Sequence, residues 1–303
     1  MMDTRIVVTG GSGMVGQALK KIMPNAIYLS SKDCDLTDLN QTILMIKKYE
    51  PETIIHIAAK VGGIIENLKY PVEFLEENIY MNTNLCKAAH ICNVKNFMAV
   101  LSTCIYPEKA TKYPMTEEQL YDGPPPKQNF SYAYAKRCLA VQIDSYKLQY
   151  NKSNWCYVIP CNLYGEDDKF DFERAHFVSA LIEKVFNSNG EIKLLGTGVS
   201  LRQFMYAGDL ALAIKKLVEK NIYDNFNIAN DEVLSIKDIA SLSLKTLNKE
   251  DIKITFSGNK EEDGNYRKDV SSKKLLEVLD NFTFTPLSKG IKKVYKIYRE
   301  RNE

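Results

Sequence analysis

No run of about 18 apolar residues occurs in the 303-residue chain, which leaves nothing to read as a membrane-spanning helix. The first ten residues pass straight into a strand and lack the apolar core of a secretory leader. An excess of either charge is missing too: 40 Lys and Arg stand against 38 Asp and Glu, a formal net charge of +2. That balance gives neither a nucleic-acid backbone nor an anionic membrane a field to bind. The seven cysteines are scattered and no pair has metal-ligand spacing; even Cys86 and Cys92 stand too far apart for a zinc knuckle. No metal and a reducing, cytoplasmic compartment are therefore expected. Internal repeats, low-complexity tracts and a long disordered tail are also absent.

What is present is enough for a full core, with 45% hydrophobic residues. The length suits one large α/β unit, or a dinucleotide-binding domain with a smaller partner. Strand-like runs at 5–9, 26–29, 53–57, 97–101 and 156–159 alternate with helical patterns at 14–22, 39–49, 73–92 and 132–150. This rhythm predicts a doubly wound parallel sheet of the Rossmann type, covered by helices on both faces. A long loop rich in proline and charge fills 107–129. The second half is less regular: helices are expected at 177–186, 210–219, 235–247 (with Ser235 as cap) and 290–299, and strands at 223–228 and 252–256. We expect a Rossmann domain over 1–165 with a return segment near 206–230, and a smaller α/β substrate lobe from 166–205 and 231–303.

The turn between the first strand and helix reads Gly10-Gly11-Ser12-Gly13-Met14-Val15-Gly16. Gly10 permits the tight turn, Gly13 lets a pyrophosphate approach the backbone, and Gly16 lets the helix pack close to the sheet. The helix N-terminus then offers unpaired N–H groups to the anion. A glycine-rich turn without a ligand is the plainer alternative; the strand before it and the helix after it favour the cofactor. An acid at the end of the second strand would bind a ribose 2′-hydroxyl and repel a 2′-phosphate. Here that strand ends Leu29-Ser30-Ser31-Lys32, whose hydroxyls and cation suit NADP, although Asp33 follows closely enough to keep NAD open. Asp35, followed by Leu36, can reach an adenine or cap a helix.

Tyr132 and Lys136 stand at i and i+4, hence on one helix face. A free phenol titrates near about 10, and a neighbouring ammonium lowers that value. Tyr132 then passes a proton to a carbonyl oxygen as hydride reaches the carbon. Ser102, at the end of the fourth strand, where ligands of parallel sheets lie, would hold the same oxygen. Tyr-x-x-x-Lys is common by chance, and a tyrosine stripe (Tyr134, Tyr146, Tyr150) crowds the same helix; the pattern gains meaning beside Ser102 and the glycine turn.

With these motifs the chain resembles the extended short-chain dehydrogenase/reductases, and among them the GDP-L-fucose synthases, over nearly its whole length. The runs that carry the likeness are Ala58-Ala59-Lys60-Val61-Gly62-Gly63-Ile64, Ser102-Thr103-Cys104-Ile105-Tyr106-Pro107, Tyr132-Ala133-Tyr134-Ala135-Lys136 and Pro160-Cys161-Asn162-Leu163-Tyr164-Gly165. The resemblance implies NADPH-dependent 3,5-epimerisation and 4-reduction of GDP-4-keto-6-deoxy-D-mannose by a homodimer. It adds Ala58, Ala59, Lys60, Pro160, Asn162, Leu163 and His176 to the cofactor site. It places Ser102, Cys104, Tyr132, Asn162, Lys184, Leu195, Arg202 and Asp263 around the GDP-sugar. Cys104 and His176 map onto the epimerisation pair. The chemistry is sound: protons beside the C4 ketone leave as an enolate, a thiolate removes one, and an imidazole returns one. Ser102 and Tyr132 would stabilise the enolate oxygen. The other six cysteines, His56 and His90 read as structural.

Leu195 stands where the family has tryptophan, Lys184 where it has arginine, Asn265-Tyr266 where it has Thr-Pro, and Ser12 where it has arginine. These positions surround the sugar and cofactor rather than the reacting groups. The alternative is therefore a C4 reductase of a related GDP-4-keto-6-deoxy sugar, such as a 6-deoxy-heptose, without epimerisation. A non-catalytic dinucleotide-binding regulator would be expected to lack Ser102, Tyr132 or Lys136. A sugar-nucleotide epimerase with permanently held NAD is disfavoured by Lys32.

Overall fold

Val7, Val8, Ile54, Ile55, Phe97, Met98 and Val158 are fully buried, as strands covered on both faces by helices require. The computed structural model describes residues 5–170 and 176–303; residues 1–4, on which the reading of the N-terminus begins, lie outside it. In chain order its first half contains β1 (Ile6–Thr9), α1 (Met14–Ile22), β2 (Ile27–Leu29), α2 (Leu39–Tyr49), β3 (Thr53–His56), α3 (Ile64–Lys69), α4 (Pro71–Ile91), β4 (Asn96–Val100), α5 (Phe130–Tyr150), β5 (Trp155–Pro160) and β6 (Asn162–Tyr164). The second half contains α6 (Phe177–Phe186), β7 (Glu191–Leu194), β8 (Leu201–Arg202), β9 (Phe204–Tyr206), α7 (Ala207–Glu219), β10 (Phe226–Ile228), β11 (Leu234–Ser235), α8 (Ile236–Thr246), β12 (Lys253–Phe256), α9 (Lys273–Val278) and α10 (Leu287–Asn302).

Six strands form one parallel sheet in the order β10-β5-β4-β3-β1-β2. The chain leaves β1 to one side for β2 and then returns to the other side for β3. That reversal opens a crevice at the carboxyl ends of β1 and β3, the place where such sheets bind ligands. The fold is the doubly wound α/β arrangement. Three small two-stranded pairings lie beyond it: β6 with β9, β7 with β12, and β8 with β11. Two further apolar clusters belong to that part. One gathers Tyr164, Ile182, Ile239 and Ile291; the other gathers Leu181, Leu194, Ala240 and Ile252. No described helix is long and apolar enough to cross a membrane.

Several expected boundaries shift for local reasons. The helix expected from 73 begins at Pro71, whose missing N–H costs nothing at a first helical position. The helix expected from 132 begins at Phe130, fed by a 3-10 turn over Lys127–Asn129. The strand expected over 223–228 shortens to β10, because the Asn225 side chain, not the backbone ladder, accepts the Tyr157 amide at 3.1 Å. The Ser235 cap is present: its hydroxyl accepts the Asp238 amide at 3.0 Å. The strands β6, β8, β9 and β11, too short to show a period, are new, as is β7, whose four residues alternate exposed and buried.

Candidate active site

The glycine turn divides its labour unevenly. Gly10 has φ +76°, and a Cβ there would stand 2.7 Å from the Ala58 amide nitrogen. A Cβ on Gly16 would meet the Gly10 carbonyl at 2.5 Å, and one on Gly11 would meet Tyr28 Cβ at 2.7 Å. Gly11 and Gly16 thus pack the turn against its own chain, Gly16 as the close packing expected of it, and do not line the cavity beside it. Gly13 is different. Its Cβ would touch the protein only at 3.4 Å, an ordinary contact, so the space in front of it is open. Gly13 is also the N-cap of α1, which has no side-chain cap and no acid in its first turn. An open glycine before an uncapped helix N-terminus is a phosphate cradle. Ser12, Gly13, Met14 and Val15 line the cavity there.

That cavity, about 700 Å³, runs along the crevice. At the end beside β2 it is lined by Ser31, Asp35 and Leu36, and also by Cys34 and Met45, apolar residues that the sequence did not single out. The Asp33 carboxylate turns back on its own chain and accepts from the Ser30 amide at 2.8 Å and hydroxyl at 2.7 Å. Those bonds hold its pKa below the usual carboxylate range. Lys32 is exposed at the rim, outside the lining residues. Asp35 accepts from Thr37 and caps no helix; Asp38 caps α2, accepting from the amides of Asn40 and Gln41. Ala58, Ala59 and Lys60 form the wall after β3, with Lys60 Nζ 2.6 Å from Glu77.

Ser102, Tyr132 and Lys136 all line the cavity. Ser102 follows β4 and caps a 3-10 turn, Thr103–Ile105, through the Cys104 amide at 3.4 Å. Lys136 is buried and donates to the Val100 carbonyl at 2.9 Å; burial pushes its pKa down to about 8. Its ammonium lies 6.0 Å from the centre of the Tyr132 ring. The Tyr132 phenol is pushed up, not down as its lysine neighbour suggested, by burial first and then by the nearby Cys104. A phenol so placed stays protonated at neutral pH, the state a proton donor in reduction requires. Cys104 is 2% exposed and stands behind the lining residues. Burial raises its thiol pKa, opposed first by Lys268 and then by Ser102 and Lys136. Lys268, itself lowered by burial, is a functional candidate that the sequence reading missed.

Pro160 at the end of β5, Asn162 and Leu163 in β6, and His176 just before α6 also line the cavity. Asn162 donates to the Gln203 carbonyl at 2.9 Å across the β6–β9 pair. The four remaining expected substrate residues lie away from these. Arg202 donates to the carbonyls of Leu201, Asn265 and Asp263 at 2.6–2.9 Å. Asp263 holds Thr197 by its amide at 2.7 Å and its hydroxyl at 2.6 Å. Leu195 is 57% exposed beside that group. Lys184 donates to the Lys193 carbonyl at 2.6 Å, outside the cavity.

A parallel sheet with a phosphate cradle at its switch point, and a Ser–Tyr–Lys set facing it, defines an enzyme of nicotinamide-dinucleotide oxidoreduction. The family model described as the NAD dependent epimerase/dehydratase family matches residues 6–229. A GDP-L-fucose synthase of Dictyostelium discoideum is 35% identical over 95% of this chain and 92% of its own length. A solved GDP-L-fucose synthetase of Naegleria fowleri, bound to NADP, is 32% identical with a TM-score of 0.88, over 100% of this chain and 94% of that one. A GDP-6-OMe-4-keto-L-xylo-heptose reductase of C. jejuni, 22% identical, shares the fold with a TM-score of 0.91 over 100% of this chain and 99% of that one. The chain belongs to the NAD dependent epimerase/dehydratase family.

Proposed function

We propose that the protein is an NADPH-dependent 3,5-epimerase and 4-reductase that converts GDP-4-keto-6-deoxy-D-mannose to GDP-L-fucose. One observation carries the reading: Ser102, Tyr132, Lys136 and His176 line the same cavity as the phosphate cradle, and Cys104 lies in the turn that Ser102 caps. GDP-L-fucose synthases at 35% and 32% identity support the substrate and the cofactor. The residues fit NADP: Gly13 and the N-terminus of α1 would hold the pyrophosphate, and Ser31 with Lys32 would hold the 2′-phosphate. When bound, the nicotinamide supplies hydride to C4 of the sugar. Before that step, Cys104 removes a proton beside the ketone and His176 delivers one to the opposite face. Ser102 and Tyr132 hold the enolate oxygen meanwhile. In the reductive step Tyr132 gives its phenolic proton to that oxygen, and the Lys136 ammonium stabilises the phenolate left behind. Arg202 faces the diphosphate, and Asp263, Lys184 and Leu195 shape the nucleotide end.

Residues 1–165 with 206–230 form the cofactor unit in this reading, and 166–205 with 231–303 form the substrate lobe. The enzyme acts as a homodimer in the cytoplasm. Tyr80 and Ile91 on α4, and Val141 and Leu148 on α5, are exposed and offer an apolar face to a second copy. The second reading, a C4 reductase without epimerisation, is favoured by the burial and raised pKa of Cys104. Incubation with the 4-keto sugar in D2O without NADPH separates the two. Deuterium at C3 and C5 is expected. Its absence, with C4 reduction intact once NADPH is added, assigns the plain reductase.

A further inference from the structure

His176 is the N-cap of α6, yet its side chain caps nothing on that helix. Its Nδ1 instead lies 3.3 Å from Asp168 Oδ1. The Asp168 side chain is only 6% exposed, whereas that of His176 is 48% exposed. The carboxylate is fixed from two further sides: the Lys169 amide donates to Oδ1 at 2.9 Å, and the Ser179 hydroxyl donates to Oδ2 at 2.5 Å. Both Asp168 and His176 line the cavity that holds Tyr132 and Ser102.

We propose that Asp168 is the positioning residue of the epimerisation step: it keeps the His176 proton on Nδ1 and aims Nε2 as the atom that carries protons to and from the sugar. This rests on the epimerase reading above. A carboxylate on one ring nitrogen selects the tautomer and makes the other nitrogen more basic. Burial alone would lower the His176 pKa, but the Asp168 hydrogen bond and charge overcome it and leave it raised. Among the described residues, Lys169 is the charge that opposes this, and Asp167 is engaged with Lys21 and Arg301. The proton balance also needs an exposed ring. Cys104 Sγ gains the proton that leaves carbon, and Nε2 loses the one that arrives. Thiol and ring must then exchange protons with water before the second carbon reacts, and the half-exposed imidazole is placed to do so. A carboxylate that merely tied α6 to the preceding loop through Ser179 would need no contact with the ring.

The chain has three histidines, so each ring resonance is assignable by single substitution, and His176 is titrated directly by NMR. Asp168→Asn keeps the acceptor for Ser179 and removes the charge. The His176 midpoint is expected to fall by about one unit, a tenfold loss of proton affinity. Deuterium exchange at the sugar should fall about tenfold more than C4 reduction of an already epimerised substrate. Asp168→Glu, which restores the charge, should recover most of the midpoint; it also serves if the asparagine variant does not fold. An unmoved midpoint in Asp168→Asn, or equal losses in exchange and reduction, overturns the proposal. If wild-type protein exchanges no deuterium, the epimerase reading fails, while the titration still decides the Asp168–His176 pair.

Discussion

His56 in β3 and Asn82 in α4 are joined, ring Nε2 to amide Oδ1, at 2.9 Å, while the Thr9 hydroxyl meets the other ring nitrogen at 2.8 Å. Asn82 reaches on to the Ala135 carbonyl in α5 at 3.4 Å. The chain thereby ties β1, just before the glycine turn, to the helix that carries Tyr132 and Lys136. Burial, followed by the Lys136 charge, pushes the His56 pKa down to about 3.

A prediction about acid stability follows from the sign of that shift. The folded pKa lies below the unfolded value near about 6.5, so the unfolded chain takes up the proton first as pH falls. Stability is full above about 6.5 and is lost progressively below it, reaching about 2 kcal/mol from this ring at pH 5. His56→Gln should be less stable at pH 7 but should lose about 2 kcal/mol less than wild type between pH 6.5 and 5. Urea unfolding at stepped pH measures this. Parallel curves for the two proteins would show that the ring is not the titrating group.

The hydride step is tested at Tyr132. Tyr132→Phe keeps the partly buried ring and deletes the proton donor. Reduction should fall about 10²- to 10⁴-fold, the usual worth of a positioned acid. NADPH affinity should change less than about threefold, since the phosphate cradle is untouched. A variant that reduces substrate at near wild-type rate would remove Tyr132 from the role of acid.

The elements that sequence reading placed to the residue are those with explicit stops. Helices over 14–22, 39–49 and 177–186 end where expected, the first before Pro24 and the second before Pro51. Strands β6, β8 and β9, of two or three residues, offer no period to read, yet β6 and β9 bring Asn162 to the cavity. The Ser–Tyr–Lys set was legible because a helical i, i+4 pair and a strand end are local facts. The states of its members were not. The burial of Cys104 and the upward push on Tyr132 depend on packing between residues distant in the chain, as do the partners Lys268 and Asp168.

Cofactor choice is tested at the end of β2. Asp33 spends its carboxylate on Ser30 and does not line the cavity, whereas Ser31 does. NADPH should bind about tenfold or more tightly than NADH, the worth of a charge-assisted contact to the 2′-phosphate. Lys32→Asp should shrink or reverse that gap by bringing a carboxylate to the same rim. Fluorescence titration of both cofactors decides it; equal affinities in the wild type refute the 2′-phosphate reading.

Arg137 carries the last prediction, because it connects the two halves of the proposed chemistry. It follows Lys136 on α5, but its guanidinium turns the other way, to the 3-10 turn that bears Cys104. Nε donates to the Ile105 carbonyl at 3.0 Å, Nη2 donates to the same oxygen, and Nη1 reaches the Gly123 carbonyl at 2.8 Å. The grip holds the Cys104 turn against the Tyr132 helix, so thiol and phenol keep a fixed separation. Arg137→Met keeps most of the stem and removes all three bonds. Hydrogen bonds to charged groups contribute about 1.5–3 kcal/mol each; the turn is buried, but the guanidinium is only partly buried and water offsets part of its loss, so stability should fall by about 3 kcal/mol. Catalysis should not fall evenly. Proton abstraction depends on where Cys104 stands, whereas reduction uses Tyr132, Lys136 and Ser102, whose contacts to α5 and β4 do not pass through Arg137. Deuterium exchange in D2O should therefore drop about tenfold further than reduction, a difference of one order in barrier of about 1.4 kcal/mol. Unfolding by urea and the two rates measured side by side supply the comparison. Exchange and reduction falling in step would mean that Arg137 supports the site as a whole, and that the Cys104 turn does not need its grip.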